Sequence, residues 1–360
     1  MKYFYCSALL LSFVLITGCT TPSPFATRVV TRELPYGEHM KYLSGLDWQS
    51  MWVSHLGCIK GCLNYLSNDV SDAWLFGATG YAFIMNIHPD LCPSGPTAYK
   101  HDRILELGRN IGFKTTSVTG QKNWKSFQLY QKKAWELAQA SIDEGYPCIG
   151  WELDIPEYYI MYGYDYKGYY YKGPLCPEGA GPRKWKTLAD TEIGVLNVAE
   201  ITPCPKADDR TTVKSALAFA VEFARTRAWL FEKYSSGIDA YDTWIATLEN
   251  GIVDANGLAY NAQVWSECRS YSADFLAEAR QRLPGECDQL FDKAIADYTA
   301  VADNLSRVAA LFPFLGATPE QKSANTSNPE KIKTAIACLK SARDAEYSGL
   351  LTLEQIAEKL

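Results

Sequence analysis

Apolar positions in the first part of the chain change from helical to strand spacing. Helical spacing occurs at 58–66, 102–111 and 124–142. Aromatic, β-branched or alternating runs follow or intervene, and they predict strands at 113–118, 147–153, 158–164, 168–171 and 192–201. Asp165-Tyr166-Lys167 has the composition of a hairpin turn between two of them. This part predicts an α+β domain over residues 42–205.

Beyond residue 206 the apolar positions recur every three to four residues. This spacing predicts helices at 211–232, 239–248, 258–282, 287–311, 329–345 and 352–360. Thr352 and Gln355 have the spacing of a capping box at the start of the last one. A proline-containing break near residue 205 separates this all-α helical domain, 206–360, from the first domain.

The first residues have the pattern of an export signal. Lys2 precedes an apolar stretch at 8–16 and then Ile16-Thr17-Gly18-Cys19, which resembles a bacterial lipoprotein signal. We expect residues 1–18 to be removed, Cys19 to be lipidated, and residues 19–41 to be a tether rich in Thr, Pro and Ser. The alternative is an ordinary secretory signal with a chance cysteine. Thr20 is not the aspartate that retains lipoproteins at the inner membrane, so the prediction is the cell envelope, at the outer membrane of a Gram-negative host.

Composition and charge limit the classes of partner that the protein is expected to bind. Hydrophobic residues make up 47% of the chain and charged residues 21%, which is typical of a globular protein. With 35 Lys+Arg against 41 Asp+Glu the net charge is −6, and no basic run is present, so nucleic acid is not an expected partner. The expected partners are a small-molecule or peptide ligand and, through the lipid, a membrane.

Cysteines are numerous for an exported chain. Of 11, Cys6 leaves with the signal and Cys19 takes the lipid, so nine remain and at least one is unpaired. Three pairs are candidates for disulfides: Cys268 with Cys287, Cys148 with Cys176, and Cys58 with Cys92. A zinc site is an alternative use of nearby histidines and cysteines, but their spacing matches no common finger, and we predict no metal and no cofactor. The residues in that pattern are His55, Cys58, Cys62, His88 and Cys92.

Three segments carry a resemblance to a known family. They are Gly57-Cys58-Ile59-Lys60-Gly61-Cys62-Leu63, the glycine-containing stretch 75–81, and Tyr158-Tyr159-Ile160 with the turn that follows. Over roughly residues 45–200 the chain resembles the N-terminal domain of the butirosin biosynthesis protein H family, acyltransferases of the papain-like superfamily, and more distantly bacteriocin-processing cysteine peptidases. The resemblance implies a papain-like fold in which Cys58, at a helix start, is the nucleophile. It also implies a base supplied by the first strand of the antiparallel group.

Several positions depart from that pattern. Glu157 stands where the family has its histidine, Gly173-Pro174 where an Asp-Pro is common, and Trp52 where peptidase relatives have an oxyanion-hole glutamine. All four histidines precede residue 102. Glu157 has three interpretations: a base for Cys58 with a pKa raised by desolvation, a contact for a cationic or amino-bearing ligand, or an exposed glutamate at a strand edge. Cys58 is a nucleophile, a disulfide partner or a buried thiol.

Two functions follow from these residues. The first is an exported lipoprotein that performs cysteine-dependent acyl transfer or amide hydrolysis with Cys58 and Glu157. The alternative is a catalytically inactive papain-like binding module for a peptide, an amino sugar or a cell-wall fragment, to which the 23 Tyr and 10 Trp are suited. A purely structural envelope protein would not explain the strand-and-turn segment. The residues predicted to line the ligand cleft are Trp151, Tyr158, Asn261 and Arg269, the last two being alternatively members of a buried polar network.

Overall fold

An eight-stranded antiparallel sheet organises the first half of the chain. A computed structural model describes residues 23–251, 254–285 and 287–360, so the predicted signal and Cys19 lie outside the described residues. The sheet runs in the order β1-β2-β6-β5-β9-β4, and β7 joins β6 to β8. Its strands are β1 (Val29–Glu33), β2 (His39–Leu43), β4 (Phe113–Gln121), β5 (Cys148–Trp151), β6 (Tyr158–Tyr164), β7 (Gly168–Gly173), β8 (Cys176–Lys184) and β9 (Val195–Pro203). A small pair, β3 (Asn86–Ile87) and β10 (Ser235–Ser236), lies apart from it.

Helices cover both faces of the sheet. The first half contains α1 (Ser54–Tyr65), α2 (Asp72–Ala78), α3 (Asp102–Gly108) and α4 (Phe127–Glu144). Because side chains alternate along a strand, Ile149 and Ile160 join the apolar cluster that contains α1, whereas Cys148 and Met161 join a second cluster with α4. The sheet is therefore buried on both faces at β5 and β6.

The second half is largely helical, as predicted, but the helix expected at 211–232 ends at Arg225. Its helices are α5 (Asp209–Arg225), α6 (Gly237–Asn250), α7 (Ala255–Arg282), α8 (Asp288–Leu311), α9 (Pro319–Thr326) and α10 (Pro329–Lys359). The last of these was predicted as two helices with a capping box at Thr352. Instead Thr352 is inside α10, where its hydroxyl donates to the Ser348 carbonyl (3.0 Å).

The apolar core is continuous across the predicted boundary at residue 205. One cluster of buried residues extends from Leu43 to Leu360. Helix α2 packs closely on α7, because a Cβ at Gly77 would lie only 1.9 Å from Cγ of Phe275. The boundary therefore marks a change of secondary structure within one shared core.

A buried ion pair joins the two halves. Arg269 and Glu346 are 0% and 1% exposed, and the guanidinium donates to both carboxylate oxygens at 2.8 and 2.6 Å. Its remaining donors bind the carbonyls of Ala82, Phe83 and Ile84 at 2.7–3.2 Å. The Tyr241 hydroxyl also donates to Glu346 (2.5 Å). Full hydrogen bonding is what makes such a buried pair tolerable.

Two further predictions need correction. The segment predicted as a tether to residue 41 contains β1 and β2, and β2 pairs with β6 through Lys41 and Tyr42. β1 lies at the sheet edge with three of its five residues exposed, so it lacks the apolar alternation that identifies a strand. Helix α1 begins at Ser54, one turn before the predicted start, because the capping groups come from distant residues described below.

The nine cysteines of the described residues are all free thiols, so none of the three candidate disulfides forms. Cys58, Cys62, Cys148, Cys268 and Cys338 are buried among apolar side chains. No helix in the described part of the chain is long and apolar enough to cross a membrane.

We expect Arg269→Met to lower the free energy of unfolding by about 3–5 kcal/mol, because it leaves the Glu346 carboxylate buried without its partner. The exposed pair Arg343–Asp242 (2.8 Å) supplies the control, and Arg343→Met is expected to cost no more than about 1 kcal/mol. Urea unfolding measures both. Equal losses of unfolding free energy in the two variants would contradict the role of the buried pair. The double variant Arg269→Met/Glu346→Met should recover part of the loss, because it removes the unpaired carboxylate as well.

Candidate ligand site at the start of helix α1

The start of α1 is capped by a carboxylate from the helical half of the chain. Val53 occupies the N-cap position, and its own side chain caps nothing. Glu267 of α7 accepts from the backbone N–H of Trp52 (3.2 Å) and of Val53 (3.3 Å). A negative group here also faces the positive end of the helix dipole. The packing of α7 therefore fixes where α1 begins.

A second carboxylate, Glu157, reaches the same helix start from the sheet. One of its oxygens accepts a hydrogen bond from the Ser54 hydroxyl, and the other accepts one from the Tyr260 hydroxyl (2.6 Å). The backbone N–H of Tyr158 donates to Ser54 Oγ (3.0 Å). Residues of α1, of the β5–β6 turn and of α7 thus meet at one point.

The turn between β5 and β6 holds Glu157 at the start of its strand. The Glu152 N–H donates to the Glu157 carbonyl (2.9 Å), and Glu152 adopts a positive φ of 57°. This left-handed conformation is uncommon for a residue other than glycine. The turn thereby presents the Glu157 carboxylate to α1, which is where the resemblance places the base.

Burial raises the pKa of both carboxyls. At Glu157 desolvation dominates over the hydrogen bonds from Ser54 and Tyr260, which act in the opposite direction, and the pKa is raised. At Glu267 desolvation raises the pKa to about 7, although the N–H groups of Trp52 and Val53 lower it. The helix start therefore holds two carboxyls that favour protonation more than exposed glutamates do.

Three partly buried aromatic rings border this site. Trp52 precedes α1, Tyr260 belongs to α7, and Phe314 follows α8. They pack edge to face, with centroids 5.3–6.3 Å apart. The Lys322 ammonium lies 3.8 Å from the centroid of Phe314, within cation–π distance. We call Trp52, Tyr260 and Phe314 the aromatic wall.

Cys58 lies in the second turn of α1 and is fully buried. Desolvation, with smaller contributions from Cys62 and Glu157, raises the pKa of its thiol well above the ordinary value. A nucleophilic cysteine needs the opposite environment, which is an electropositive and partly exposed one. Ser54, one turn earlier, occupies the helix start where the resemblance placed the nucleophile.

Trp151 and Tyr158 are buried beneath the site. Tyr158 stacks on His55 at 4.3 Å between centroids, and Trp151 meets Tyr158 edge-on at 5.1 Å. Burial and the nearby His101 lower the pKa of His55 well below its ordinary value, so this imidazole is neutral. These rings form the floor under Ser54.

Asn261 and Arg269 lie away from Glu157 in structural networks. The Asn261 amide donates to the carbonyls of Leu91, Cys92 and Gly257, and its oxygen accepts from Trp265 Nε1 (3.0 Å). Arg269 uses all its donors in the ion-pair network, which leaves none for a ligand. We therefore leave both out of the site.

A cavity of about 370 Å³ lies beside the site, between α7 and α8. It is lined by Ser266, Glu267, Ser270, Tyr271, Ala302, Asp303 and Ser306. Glu267 thus both lines this cavity and caps α1. Within the described residues, no group of three or more His, Cys, Asp or Glu side chains is arranged to hold a metal ion. No protein-family model and no curated protein matches the chain.

Sequence reasoning found Glu157 but missed its partners. Ser54 gave no signal, since an isolated serine before an apolar stretch is common. Nothing local in the sequence connects Glu267 or Tyr260 with Glu157. Both hydrogen bonds of Glu157 join residues 103 positions apart, so only the fold brings them together.

The pKa of Glu267 predicts a pH dependence of stability. Its folded-state value of about 7 exceeds the ordinary 4.5, so the folded protein binds this proton more tightly than the unfolded chain. The stabilisation is complete below pH 4.5 and is lost as the pH rises to about 7. Relative to Glu267→Gln, the wild type should lose about 1–2 kcal/mol of unfolding free energy between pH 5 and 8, allowing for solvent screening. Urea unfolding of both proteins at each pH measures this. A difference in unfolding free energy that did not change with pH would contradict the prediction.

Proposed function

We propose that this protein is a lipid-anchored component of the bacterial cell envelope that binds a peptide, an amino sugar or a cell-wall fragment beside Glu157. The observation that carries the proposal is the Glu157 carboxylate at the start of α1, held by two hydroxyls and bordered by the aromatic wall. A carboxylate accepts hydrogen bonds from amide or amino groups, and aromatic rings pack on sugar or peptide surfaces. Each proposed ligand has amide or amino groups for the carboxylate and a sugar or peptide surface for the aromatic rings.

A papain-like arrangement supports the location of this site. In papain-like proteins the nucleophile at a helix start faces a base on the first strand of an antiparallel group. Here Ser54 opens α1, and Glu157 immediately precedes β6. The helix start and the strand start face one another through their hydrogen bond. We therefore also propose that the first half of the chain has a papain-like fold.

Binding is favoured over thiol catalysis by Cys58. An acyltransferase or amide hydrolase of the usual kind needs a reactive thiolate that substrate reaches. Cys58 is fully buried, and the pKa of its thiol is raised rather than lowered. Glu157 is only partly buried. The Glu157 carboxylate is thus more exposed than the Cys58 thiol.

The ligand prediction can be tested with muramyl dipeptide, which joins an N-acetyl amino sugar to a short peptide. Titration calorimetry on the full-length protein in detergent should detect binding. Glu157→Gln should weaken it roughly 10-fold or more, because a charge-assisted hydrogen bond contributes about 1.5–3 kcal/mol. Cys58→Ala is the matched control on the same helix and should leave the affinity unchanged. Equal affinity in wild type and Glu157→Gln would remove Glu157 from the site.

The anchor prediction concerns Cys19. In the bacterial host, Cys19→Ser should release the protein from the membrane fraction and abolish incorporation of labelled palmitate, because several acyl chains on one cysteine hold the protein there. Cys6→Ser, within the expected signal peptide, is the control and should retain both. Membrane retention of Cys19→Ser would contradict lipidation.

A further inference from the structure

The side chains around Ser54 form a hydrogen-bonded series of three. Ser54 Oγ donates to one oxygen of Glu157, and the Tyr260 hydroxyl donates to the other (2.6 Å). A hydroxyl nucleophile bonded to a base, whose orientation is set by a third group, is the geometric signature of covalent catalysis. The three residues come from three separate elements, α1, the turn before β6, and α7.

Ser54 is 3% exposed, so a ligand would have to reach it past Glu157, which is only partly buried. The hydrogen bonds of Ser54 and its place on α1 fit the role of a nucleophile. The Tyr158 N–H donates to Oγ (3.0 Å), so the hydroxyl is oriented with its proton toward Glu157. Ser54 is the first residue of a 12-residue helix, whose first N–H groups lack intrahelical partners and whose dipole is positive at this end. Glu267 occupies the N–H groups of Trp52 and Val53, so an oxyanion that forms on an attacked carbonyl would bind the N–H groups of the first helical residues.

We infer that Ser54 is the nucleophile of an acyl-transfer site for an amide or ester ligand, with Glu157 as its general base and Tyr260 as a positioning residue. The inference rests on the proposed function, because the ligand that is bound beside Glu157 is the one that Ser54 attacks. It differs from the cysteine hypothesis in the reacting atom, which is an oxygen at the helix start.

The chemistry balances without a cofactor. Ser54 Oγ forms a bond to the carbonyl carbon of the ligand while its proton passes to Glu157. As the bond from carbon to the amine or alcohol breaks, Glu157 returns that proton to the leaving group, and an acyl ester remains on Ser54. Water, or a second amine or alcohol, then attacks the ester and transfers a proton to Glu157. Ser54 recovers its proton as it departs.

A fluorophosphonate probe tests for an activated serine. The full-length protein in detergent is treated with the probe, and the adduct is located by peptide mass spectrometry. We expect phosphonylation at Ser54. Ser71 is the matched control, since it also lies at a helix start and its hydroxyl donates to a glutamate, Glu278 (2.5 Å). Ser71 should remain unlabelled because its pair is exposed and the Glu278 carboxylate is already bound by the Arg282 guanidinium (2.6 Å).

Variants of Glu157 and Tyr260 test whether these residues activate the Ser54 hydroxyl. Glu157→Gln should slow labelling by about 100-fold or more, the contribution typical of a general base. Tyr260→Phe should raise the pH midpoint of labelling, because the Tyr260 hydrogen bond lowers the pKa of Glu157. The other titratable groups that interact with Glu157 are Cys58 and Tyr159, both unchanged in this variant. Circular dichroism confirms that each variant is folded.

The outcomes distinguish this inference from the proposed function. Binding of muramyl dipeptide without an adduct on Ser54 overturns the inference and keeps the binding function. An adduct on Ser54 without such binding keeps the inference and overturns the choice of ligand. Equal labelling of Ser54 and Ser71, or an unchanged rate in folded Glu157→Gln, also overturns it.

Discussion

Helix α1 begins where it does because two distant carboxylates meet its first turn. Its N-cap residue, Val53, provides no side-chain acceptor, so the backbone N–H groups there bind Glu267 of α7. Glu157, which immediately precedes β6, accepts a hydrogen bond from the Ser54 hydroxyl. Unsatisfied N–H groups at a buried helix end are costly, and Glu267 satisfies those of Trp52 and Val53. The two carboxylates also connect the sheet and the helical region at one point, which is the candidate site.

Much of the secondary structure follows from local sequence, and the exceptions have physical causes. The predicted strand at 158–164 matches β6, and the predicted helix at 258–282 corresponds closely to α7. β8 was not predicted, because Gly and Pro dominate Cys176–Lys184 and the strand exists through its backbone pairing with β7. Likewise α10 continues through Thr352 because its apolar residues on both sides pack into the same core.

Only part of the candidate site, Glu157, could be predicted from the sequence. Glu157 was singled out because it stands where the family that the sequence resembles has its histidine. The contacts of Ser54, Tyr260 and Glu267 depend on the packing of α1 against α7 and β6, which no periodicity encodes. Cys58 lies one helical turn after the start of α1 for the same reason: a start defined by a remote carboxylate leaves no local cap in the sequence.

The edge hairpin β1–β2 has a consequence for how the protein would sit on a membrane. The first described residue, Ser23, is four residues beyond Cys19, and fully extended chain spans at most about 3.6 Å per residue. A lipid on Cys19 would therefore hold Ser23, six residues before the hairpin, within roughly 15 Å of the bilayer surface. β2 pairs directly with β6, the strand that Glu157 precedes. The anchor would then hold the whole sheet, and with it the candidate site, close to the membrane.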